Sequence, residues 1–411
     1  MPGEVPGSGA QAVNEIDRSI DDLLDEVDVV STHEHHLFDE RHPELTLDTL
    51  IANSYIGLWY GEVGGTSYEA RSAWLDKVQY NSYFVWLQRS ISRLYGVDRL
   101  TAESWDATSA LIEAAHRDTG HHLRILTEHG RYRRWVQDTF WDNGNDLGHP
   151  ELVSPIFRID AWTKAFDLGH RVDDSDPLLR GEIAQGLRTL DEFEQFIAAT
   201  LDAGAGKYAG FKCAMAYERD ISFEDVDVEL ARASFGKPAD QVSEGEALNF
   251  GNYVVSVFLR HSASRGLPLQ IHTGLARISG SNPMRLAPLI EAHPDVTFAL
   301  FHGGFPWIYE TAGLAHQYQN IVVDINWLPI ISTSAAQTAL AVYLDVLPDS
   351  RRICWGGDSW TSEESLGALL ALKHVLRGFG RSQVEQGLLR FDQVERLIHK
   401  ICHENAEALF F

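Results

Sequence analysis

The sequence has few cysteines and no long apolar run, and each shortage excludes a class of protein. Only Cys213, Cys354 and Cys402 occur among 411 residues. Because the number is odd and no two have CxxC spacing, we expect buried thiols in a reducing cytoplasm rather than a disulfide framework. No stretch approaches the roughly 18 apolar residues that cross a bilayer, and the first residues lack the basic and apolar regions of a signal peptide. We therefore expect neither a membrane segment nor a leader.

Basic residues are also scarce. The chain has 34 Lys and Arg against 59 Asp and Glu, which gives a formal charge of −25. A field of this sign repels nucleic acid and anionic membranes, so neither is an expected partner. It suits a site that concentrates cations, although a soluble acidic surface is the simpler explanation. A small-molecule substrate is expected, and a homo- or hetero-oligomer remains open.

A short apolar strand followed by a helical stretch recurs along the chain. The predicted strands begin with β-branched or aromatic residues and end in polar ones, at 27–36, 133–142, 154–162, 208–217, 267–274, 296–304, 320–327 and 352–360. The clearest helices are predicted at 189–204 and 363–380. No phosphate-binding GxGxxG or GxxxxGK[ST] motif follows any strand, which argues against a nucleotide-binding fold.

Eight such units predict an α/β fold in which parallel strands close into a (β/α)8 TIM barrel. Residues 1–20, which begin with a stretch rich in Gly and Pro, are predicted to be a flexible tail, and 21–411 the barrel. The interval 40–130 is too long for one connection and rich in Trp, Tyr and Leu. We predict that it is a helical insertion after strand 1, near the barrel mouth, with a separate small domain as the alternative.

Four of the 18 histidines stand at the carboxyl ends of predicted strands, where a barrel gathers its active site. His33 and His35 are two residues apart, so an extended strand directs both rings to one side. His272 and His302 each end a very apolar strand and precede a glycine turn. A buried imidazole needs a partner, since leaving it unpaired costs on the order of 1–3 kcal/mol. The other histidines, including those in 116–122, are predicted to be structural.

Asp358 ends the last predicted strand, after two glycines that leave room beside it. A carboxylate there can ligate a metal and accept a proton from an activated water. Together with the four strand-end histidines, it predicts a divalent metal site at the barrel mouth.

This set of residues resembles the amidohydrolase superfamily. It is most similar to the amidohydrolase-related branch, which contains uronate isomerases, metal-dependent aromatic acid decarboxylases and the amidohydrolase domains fused to some glutamine synthetases. The segments PLQIHTG, SNPMRLAPLI and FALFHGGFPW carry the likeness to the last group. The resemblance covers residues 25–411 and is strongest from 205 onward.

The resemblance implies roles for these residues. His33, His35 and Asp358 would hold the metal, and His272 would either ligate it or, with His302, contact the substrate. Lys212 falls on strand four, where some relatives carry a carboxylated lysine that bridges two metals. A lysine that binds a substrate carboxylate is the alternative.

The sequence departs from the family pattern in two places. His36 and Glu34 stand beside the usual histidine pair, and Glu218 replaces an arginine after strand four. Lys212 and Glu218 have the same parity, so one extended strand would direct both toward the mouth. Extra imidazole and carboxylate groups would suit a second metal, with His36, Lys212, Glu218 and His302 as added ligand candidates. Alternatively, Glu218 pairs with a surface cation.

Hydrolysis is the leading hypothesis, with Asp358 as the base that takes the proton of water, and with His272 or His302 polarising a carbonyl oxygen. Arg158, Lys212, Tyr217 and Trp59 are the candidate contacts to a small carboxylate-bearing substrate, although Arg158 would serve equally in an ion pair with Asp160. Zinc is expected if one metal binds, and iron or manganese if two bind.

Three other functions remain open. The surplus of ligands would suit a dinuclear iron or manganese hydroxylase on the same fold. The same metal would also support decarboxylation or isomerisation. A non-catalytic barrel subunit would leave the ligand set idle.

Overall fold

A computed structural model describes residues 18–168, 186–223 and 226–411 of the chain. Residues 1–17 of the predicted tail lie outside the described residues, and 18–20 already belong to the first helix. The strands are short and mostly buried: β1 (Val29–Glu34), β2 (Tyr132–Gln137), β3 (Val153–Pro155), β4 (Phe157–Arg158), β5 (Phe211–Cys213), β6 (Leu269–Ile271), β7 (Phe298–Leu300), β8 (Ile321–Asp324) and β9 (Ile353–Cys354).

Helices separate most of these strands. They are α1 (18–26), α2 (Leu47–Ala52), α3 (Tyr55–Tyr60), α4 (Tyr68–Val78), α5 (Ser82–Tyr95), α6 (Trp105–His116), α7 (His121–Arg124), α8 (Leu190–Ala203), α9 (Val228–Ser234), α10 (Glu244–Arg265), α11 (Ala287–Ala292), α12 (Ile308–Gln317), α13 (Leu328–Ile331), α14 (Thr333–Val346), α15 (Ser362–Glu385), α16 (Phe391–His399) and α17 (Asn405–Phe410). Short 3₁₀ or π turns occur at Asp39–Glu44, Ile125–His129, Asp160–Lys164, Met215–Tyr217, Ala239–Gln241, Pro283–Leu286, Phe301–Gly304, Ser350–Arg352 and Lys400–Glu404.

The described residues divide into two compact units. The first unit comprises those up to Trp135 together with Ile325–Asp345 and Asp349–Ala408, and the second comprises Val136–Asp324, Val346–Pro348 and Leu409–Phe411. Between β1 and β2, the regular structure consists of the helices α2–α7 and two short 3₁₀ or π turns. Its assignment as an insertion into one barrel stays a prediction.

In the first unit, β1 is hydrogen-bonded to the chain that runs through and beyond β9. The amide of Thr32 donates to the carbonyl of Trp355 at 3.1 Å, and the amide of His35 donates to the carbonyl of Ser359 at 2.9 Å. All six residues of β1 are buried, as expected for a strand covered on both faces. This pairing places the end of β1 beside the loop that follows β9.

In the second unit, β4, β5, β6, β7 and β8 pair in parallel and in chain order. Their register aligns Phe157, Phe211, Leu269, Phe298 and Ile321 across the sheet. All five side chains are buried, so they form one apolar layer of the core. The parallel register brings the carboxyl ends of these strands to one edge.

The predicted strand 208–217 is too long. Only Phe211–Cys213 is extended, and the chain then turns through Met215–Tyr217. The parity argument that directed both Lys212 and Glu218 to the mouth is therefore wrong, because no single strand contains both residues.

Candidate metal centre and active-site residues

The end of β1 and the loop after β9 bring three of the predicted ligands together in the first unit. The Nε2 atom of His35 lies 3.1 Å from Oδ1 of Asp358, and the Nε2 atom of His33 lies 3.9 Å from the same oxygen. The two imidazole rings are 4.8 Å apart between centroids. All three residues are buried, and the alternation of an extended strand directs both rings to one side, as predicted.

The backbone holds Asp358 in an uncommon conformation. Its φ is 60°, in the left-handed region that a non-glycine residue adopts at a cost of order 1–3 kcal/mol. Its amide donates to the carbonyl of His33 at 2.8 Å, which ties the aspartate directly to the ligand strand. Gly356 allows this approach, since a Cβ there would lie 2.7 Å from the backbone nitrogen of His33.

Glu34 points the other way and joins the same two segments. Its carboxylate accepts hydrogen bonds from the hydroxyl groups of Ser31 (2.8 Å) and Ser365 (3.0 Å) and from the amides of Gly357 (3.1 Å) and Ser359 (3.0 Å). Burial raises the pKa of Glu34 to about 7, although these hydrogen bonds act in the opposite direction. Glu34 therefore positions the loop that carries Asp358.

His36 belongs to this network. Its Nε2 atom is 2.8 Å from the hydroxyl oxygen of Ser365 and 3.6 Å from Oε2 of Glu34, and its ring packs edge-on against Trp135. Burial lowers the pKa of His36 well below its usual value. The structure directs this ring to Ser365 and Glu34.

The donor set of the first unit fits a divalent ion. Two imidazole nitrogens and a carboxylate oxygen are ligands that zinc, iron and manganese accept. Donors about 2.0–2.2 Å from a tetrahedral ion stand about 3.3–3.6 Å from one another. The distances from Asp358 to His35 and to His33, 3.1 and 3.9 Å, bracket that spacing.

The second unit holds the other two predicted histidines, as a hydrogen-bonded pair. Nε2 of His302 lies 2.9 Å from Nδ1 of His272, and Nε2 of His272 lies 3.0 Å from the carbonyl oxygen of Leu275. A carbonyl only accepts, so a neutral His272 carries its proton on Nε2 and accepts at Nδ1 from the N–H of His302. His302 has a φ of 62°, so it too stands in the left-handed region just beyond its strand.

Tyr217 and Lys212 belong to the same unit. The ring of Tyr217, which is half exposed, lies 4.4 Å from that of His272. The Nζ atom of Lys212 lies 3.5 Å from the centroid of the Phe301 ring, and the lysine is 2% exposed. An aromatic face attracts an ammonium group, so this contact favours a charged lysine over a carboxylated one.

Arg158 is bound to two carboxylates of its own unit. Its guanidinium donates to Oδ2 of Asp138 at 2.5 Å and to Oδ2 of Asp160. Burial acts to lower the pKa of Arg158, but Asp138 and Asp160 outweigh it and raise the pKa. The structural ion pair that the sequence left as the alternative is therefore the arrangement observed, and Arg158 as a substrate clamp would have to give up these partners.

Glu218 and Trp59 are not placed with the histidines of their units. Oε2 of Glu218 lies 2.5 Å from Nζ of Lys164, and both side chains are partly exposed, so Glu218 pairs with a surface cation. The side chain of Trp59 is half exposed on α3. Two aromatic residues that were not predicted lie beside the site: the ring of Trp360 stacks on His35 at 5.2 Å, and Tyr55 contacts Trp360 at 5.0 Å. Because Trp360 lies only two residues after Asp358, its position near the site could have been predicted from the sequence.

Two further expectations concern the whole chain. Cys213, Cys354 and Cys402 are buried free thiols, as predicted. Among the described residues, every helix is too short or too polar to span a bilayer.

Comparison with known proteins supports the resemblance. Residues 253–411, which include His272, His302 and Asp358, match the family model described as Amidohydrolase. Protein fluG of Emericella nidulans is 30% identical over 219 residues, which are 49% of this chain. That alignment spans only 25% of the fluG protein.

Solved structures resemble the chain over nearly its full length. A uronate isomerase from Thermotoga maritima has a TM-score of 0.72 at 14% identity and covers 100% of both chains. A protein from Lactobacillus casei designated a metal-dependent hydrolase has a TM-score of 0.68 at 19% identity, with 95% of this chain and 96% of that one covered. A glucuronate isomerase from Caulobacter crescentus has a TM-score of 0.67 at 16% identity, with 97% and 94% covered.

At these identities the structural likeness shows the fold alone, and it confirms the predicted fold class, a parallel α/β fold of the (β/α)8 type. The family match adds sequence evidence within that fold. The match over residues 253–411 and the likeness to fluG support the resemblance to the amidohydrolase superfamily.

Proposed function

We propose that the protein is a metal-dependent hydrolase that acts on a small carboxylate-bearing substrate, with one divalent ion held by His33, His35 and Asp358. The observation that supports this most is the approach of both imidazole Nε2 atoms to one oxygen of Asp358, at 3.1 and 3.9 Å. When bound, such an ion supplies a Lewis acid that activates water and polarises a carbonyl group.

Each unit contributes one group of candidate catalytic residues. His33, His35 and Asp358 follow strand ends, as do His272 and His302, and strand carboxyl ends carry the active site of a parallel barrel. In the first unit, Asp358 accepts the proton of the attacking water. In the second unit, the His272–His302 pair is the proposed contact to a substrate carbonyl. The N–H of His302 is used within the pair, so the substrate would displace the carbonyl of Leu275 from Nε2–H of His272.

Lys212 is the proposed contact to the substrate carboxylate. It is buried against Phe301 and lies at the end of β5, one strand from His272. Its ammonium group is a compact point charge with three donors, which suits a carboxylate oxygen. Arg158 is the weaker candidate because Asp138 and Asp160 already neutralise it.

One metal is favoured over two. The second-metal hypothesis depended on His36, Glu218 and Lys212. His36 is hydrogen-bonded to Ser365, and Glu218 pairs with Lys164 at the surface. The dinuclear hydroxylase therefore loses His36 and Glu218 as candidate ligands, and zinc is the proposed ion.

Metal analysis and a substrate panel test the proposal together. Protein purified without added metal should carry zinc at the His33–His35–Asp358 site. Asp358→Asn should lose that metal and at least 100-fold in activity, while Asp392→Asn, the same change on an exposed carboxylate, should change neither. The substrate panel contains small amides, esters and lactones that bear a carboxylate. It also contains uronates, which test for isomerisation.

The outcomes separate the candidate functions. Turnover of an amide, ester or lactone supports hydrolysis. Isomerisation of a uronate without hydrolysis, or two equivalents of iron or manganese at this site, would contradict the proposed reaction. If the Asp358→Asn protein kept both its metal content and its activity, Asp358 would be neither the proposed ligand nor the proposed base.

A further inference from the structure

A second group of metal-binding side chains lies within the helices of the first unit. His116 ends α6, His121 begins α7, Tyr95 ends α5 and Glu363 stands in the first turn of α15. His116 and Glu363 are fully buried, at 0% exposure. Four helix ends thus converge on polar groups in the interior of the unit, although these histidines were predicted to be structural.

The donor atoms are close together. Nε2 of His116 lies 2.6 Å from Oε1 of Glu363, and the phenol oxygen of Tyr95 lies 2.6 Å from the same oxygen. The Tyr95 oxygen is also 3.3 Å from Nε2 of His121. One ligand atom from each of His116, His121 and Glu363 lies within 4.8 Å of the others. Donors of a tetrahedral zinc ion stand about 3.3 Å apart, so only a small opening of the cluster would admit an ion.

The charge of the cluster also suits a cation. Burial would raise the pKa of Glu363, but His116 and Tyr95 outweigh it and hold the pKa at about 2, so the group is a carboxylate. The next imidazole, His42, stacks on His116 at 6.0 Å, and burial together with His122 lowers its pKa to about 3. The cluster therefore contains a buried carboxylate, and the nearby His42 ring is neutral.

One nitrogen of the cluster lacks a partner. Among the described residues, Nδ1 of His116 has no hydrogen-bond partner, although the ring is fully buried. The same holds for Nδ1 of the neighbouring His42. Unpartnered buried nitrogens are costly in an apolar interior, so the hydrogen bond to Glu363 does not satisfy the whole polar edge of His116.

We infer that His116, His121 and Glu363 form a second, structural site for a divalent transition metal such as zinc, with the Tyr95 oxygen at the fourth position. Two imidazoles and a carboxylate are ordinary zinc ligands, and a closed set of four protein groups is typical of structural sites. The ion would link α5, α6 and α7 to the start of α15. Because Glu363 follows Asp358 by only five residues, it would also anchor the loop that carries Asp358.

Metal counting in matched variants tests this site separately from the active site. Protein stripped with a chelator is reloaded with Co²⁺, desalted and measured for cobalt per chain and for the visible absorption of four-coordinate Co²⁺. In the double variant His33→Asn and His35→Asn, which lacks the proposed active-site ligands, we expect one equivalent to remain. Adding His121→Asn should remove it, whereas adding His129→Asn, the same change at an exposed histidine of the same segment, should not.

His121 is only partly buried, so its substitution preserves the fold better than a change at His116. Glu363→Gln provides a second variant, and circular dichroism checks that each is folded. Equal cobalt in the His121→Asn and His129→Asn proteins, or no cobalt in the double variant, would overturn the site. Cobalt that remains in the double variant and disappears with His121→Asn supports it, whether or not the active site binds metal.

Discussion

At the scale of single residues, the candidate metal centre depends on the close approach of two backbones. The chain after β9 runs so near β1 that a methyl group at position 356 would lie 2.7 Å from the nitrogen of His33 and 2.8 Å from the hydroxyl of Thr32. Real side chains do not tolerate such distances, so only glycine lets Asp358 reach the histidines.

Gly356→Ala should therefore destabilise the protein by about 1–3 kcal/mol, because the added methyl group overpacks a buried contact between backbones. The measurement is the free energy of unfolding in urea. Gly245→Ala is the matched control, since its position is exposed in the first turn of α10 with open space around it. That change should be neutral or stabilise by up to about 1 kcal/mol. Equal effects at the two positions would contradict the packing described for Gly356.

His42 gives a residue-scale prediction about pH. Burial, with a contribution from His122, lowers its pKa from 6.5 to about 3, and its Nε2–H donates to the carbonyl of Leu37 at 3.2 Å. Below pH 6.5 the unfolded chain binds a proton at this residue while the folded chain does not. The stability that His42 contributes is thus complete above pH 6.5 and is lost as the pH falls from 6.5 toward 3.

In metal-free protein, the free energy of unfolding should fall as the pH drops from 6.5 to 4.5, with a His42 share of about 1.4 kcal/mol per pH unit. His42→Gln retains a donor for Leu37 but does not titrate, so its slope should be smaller by about one proton. Urea unfolding at several pH values measures both slopes. Identical slopes would mean that His42 is protonated in the folded protein.

At the scale of elements, helix ends are fixed by side chains that the sequence identifies well. The predicted helix 189–204 is α8, with Thr189 as its N-cap and with the Glu192 carboxylate accepting a reciprocal hydrogen bond from the Thr189 amide. The predicted helix 363–380 is α15, but it continues to Glu385. Gly380 does not end it, because that glycine lies against Val394 of α16, where a Cβ would come within 2.6 Å of a methyl group. The glycine at this position allows two helices to pack closely. From sequence alone, such a glycine cannot be distinguished from one that ends a helix.

The cap of α8 carries its own prediction. Thr189→Ala removes the hydroxyl group that accepts from the amide of Glu192, so it should cost about 1 kcal/mol in the free energy of unfolding. Thr200→Ala, in the same helix, loses only a hydrogen bond to the carbonyl of Phe196 and gains helix propensity, so it should stay within about 0.5 kcal/mol of the parent. A larger loss at Thr200 than at Thr189 would contradict the capping box.

The strands show what periodicity can and cannot predict. Each predicted strand overlaps an observed one, although β2 begins one residue before the predicted start at 133, and 154–162 overlaps both β3 and β4. Every strand is shorter than predicted, because the chain turns soon after its buried residues end. The placement of His33, His35 and Asp358 followed from strand-end position alone, whereas the partners of Arg158 and Glu218 are tertiary contacts that leave no local pattern.

At the scale of the whole molecule, the fold class could be predicted because eight apolar strands separated by helical stretches are local features. The second cluster around Glu363 could not be predicted, because its histidines lie on polar helix ends that resemble surface. Convergence of four helix ends on one buried carboxylate becomes visible only in three dimensions.

The three cysteines provide a prediction for the whole fold. All are buried, and burial raises the pKa of Cys213 and of Cys402 to about 12, which suppresses the reactive thiolate. A thiol reagent such as Ellman's should detect fewer than one thiol per native chain and three in urea. Rapid reaction of the native protein would show that the core opens readily.

The most direct test of the account is anomalous diffraction from crystals grown with Zn²⁺. We predict a peak about 2.0–2.2 Å from Nε2 of His33, Nε2 of His35 and a carboxylate oxygen of Asp358. Ordered side chains of these three residues with no ion among them, in crystals that hold zinc elsewhere, would contradict the account.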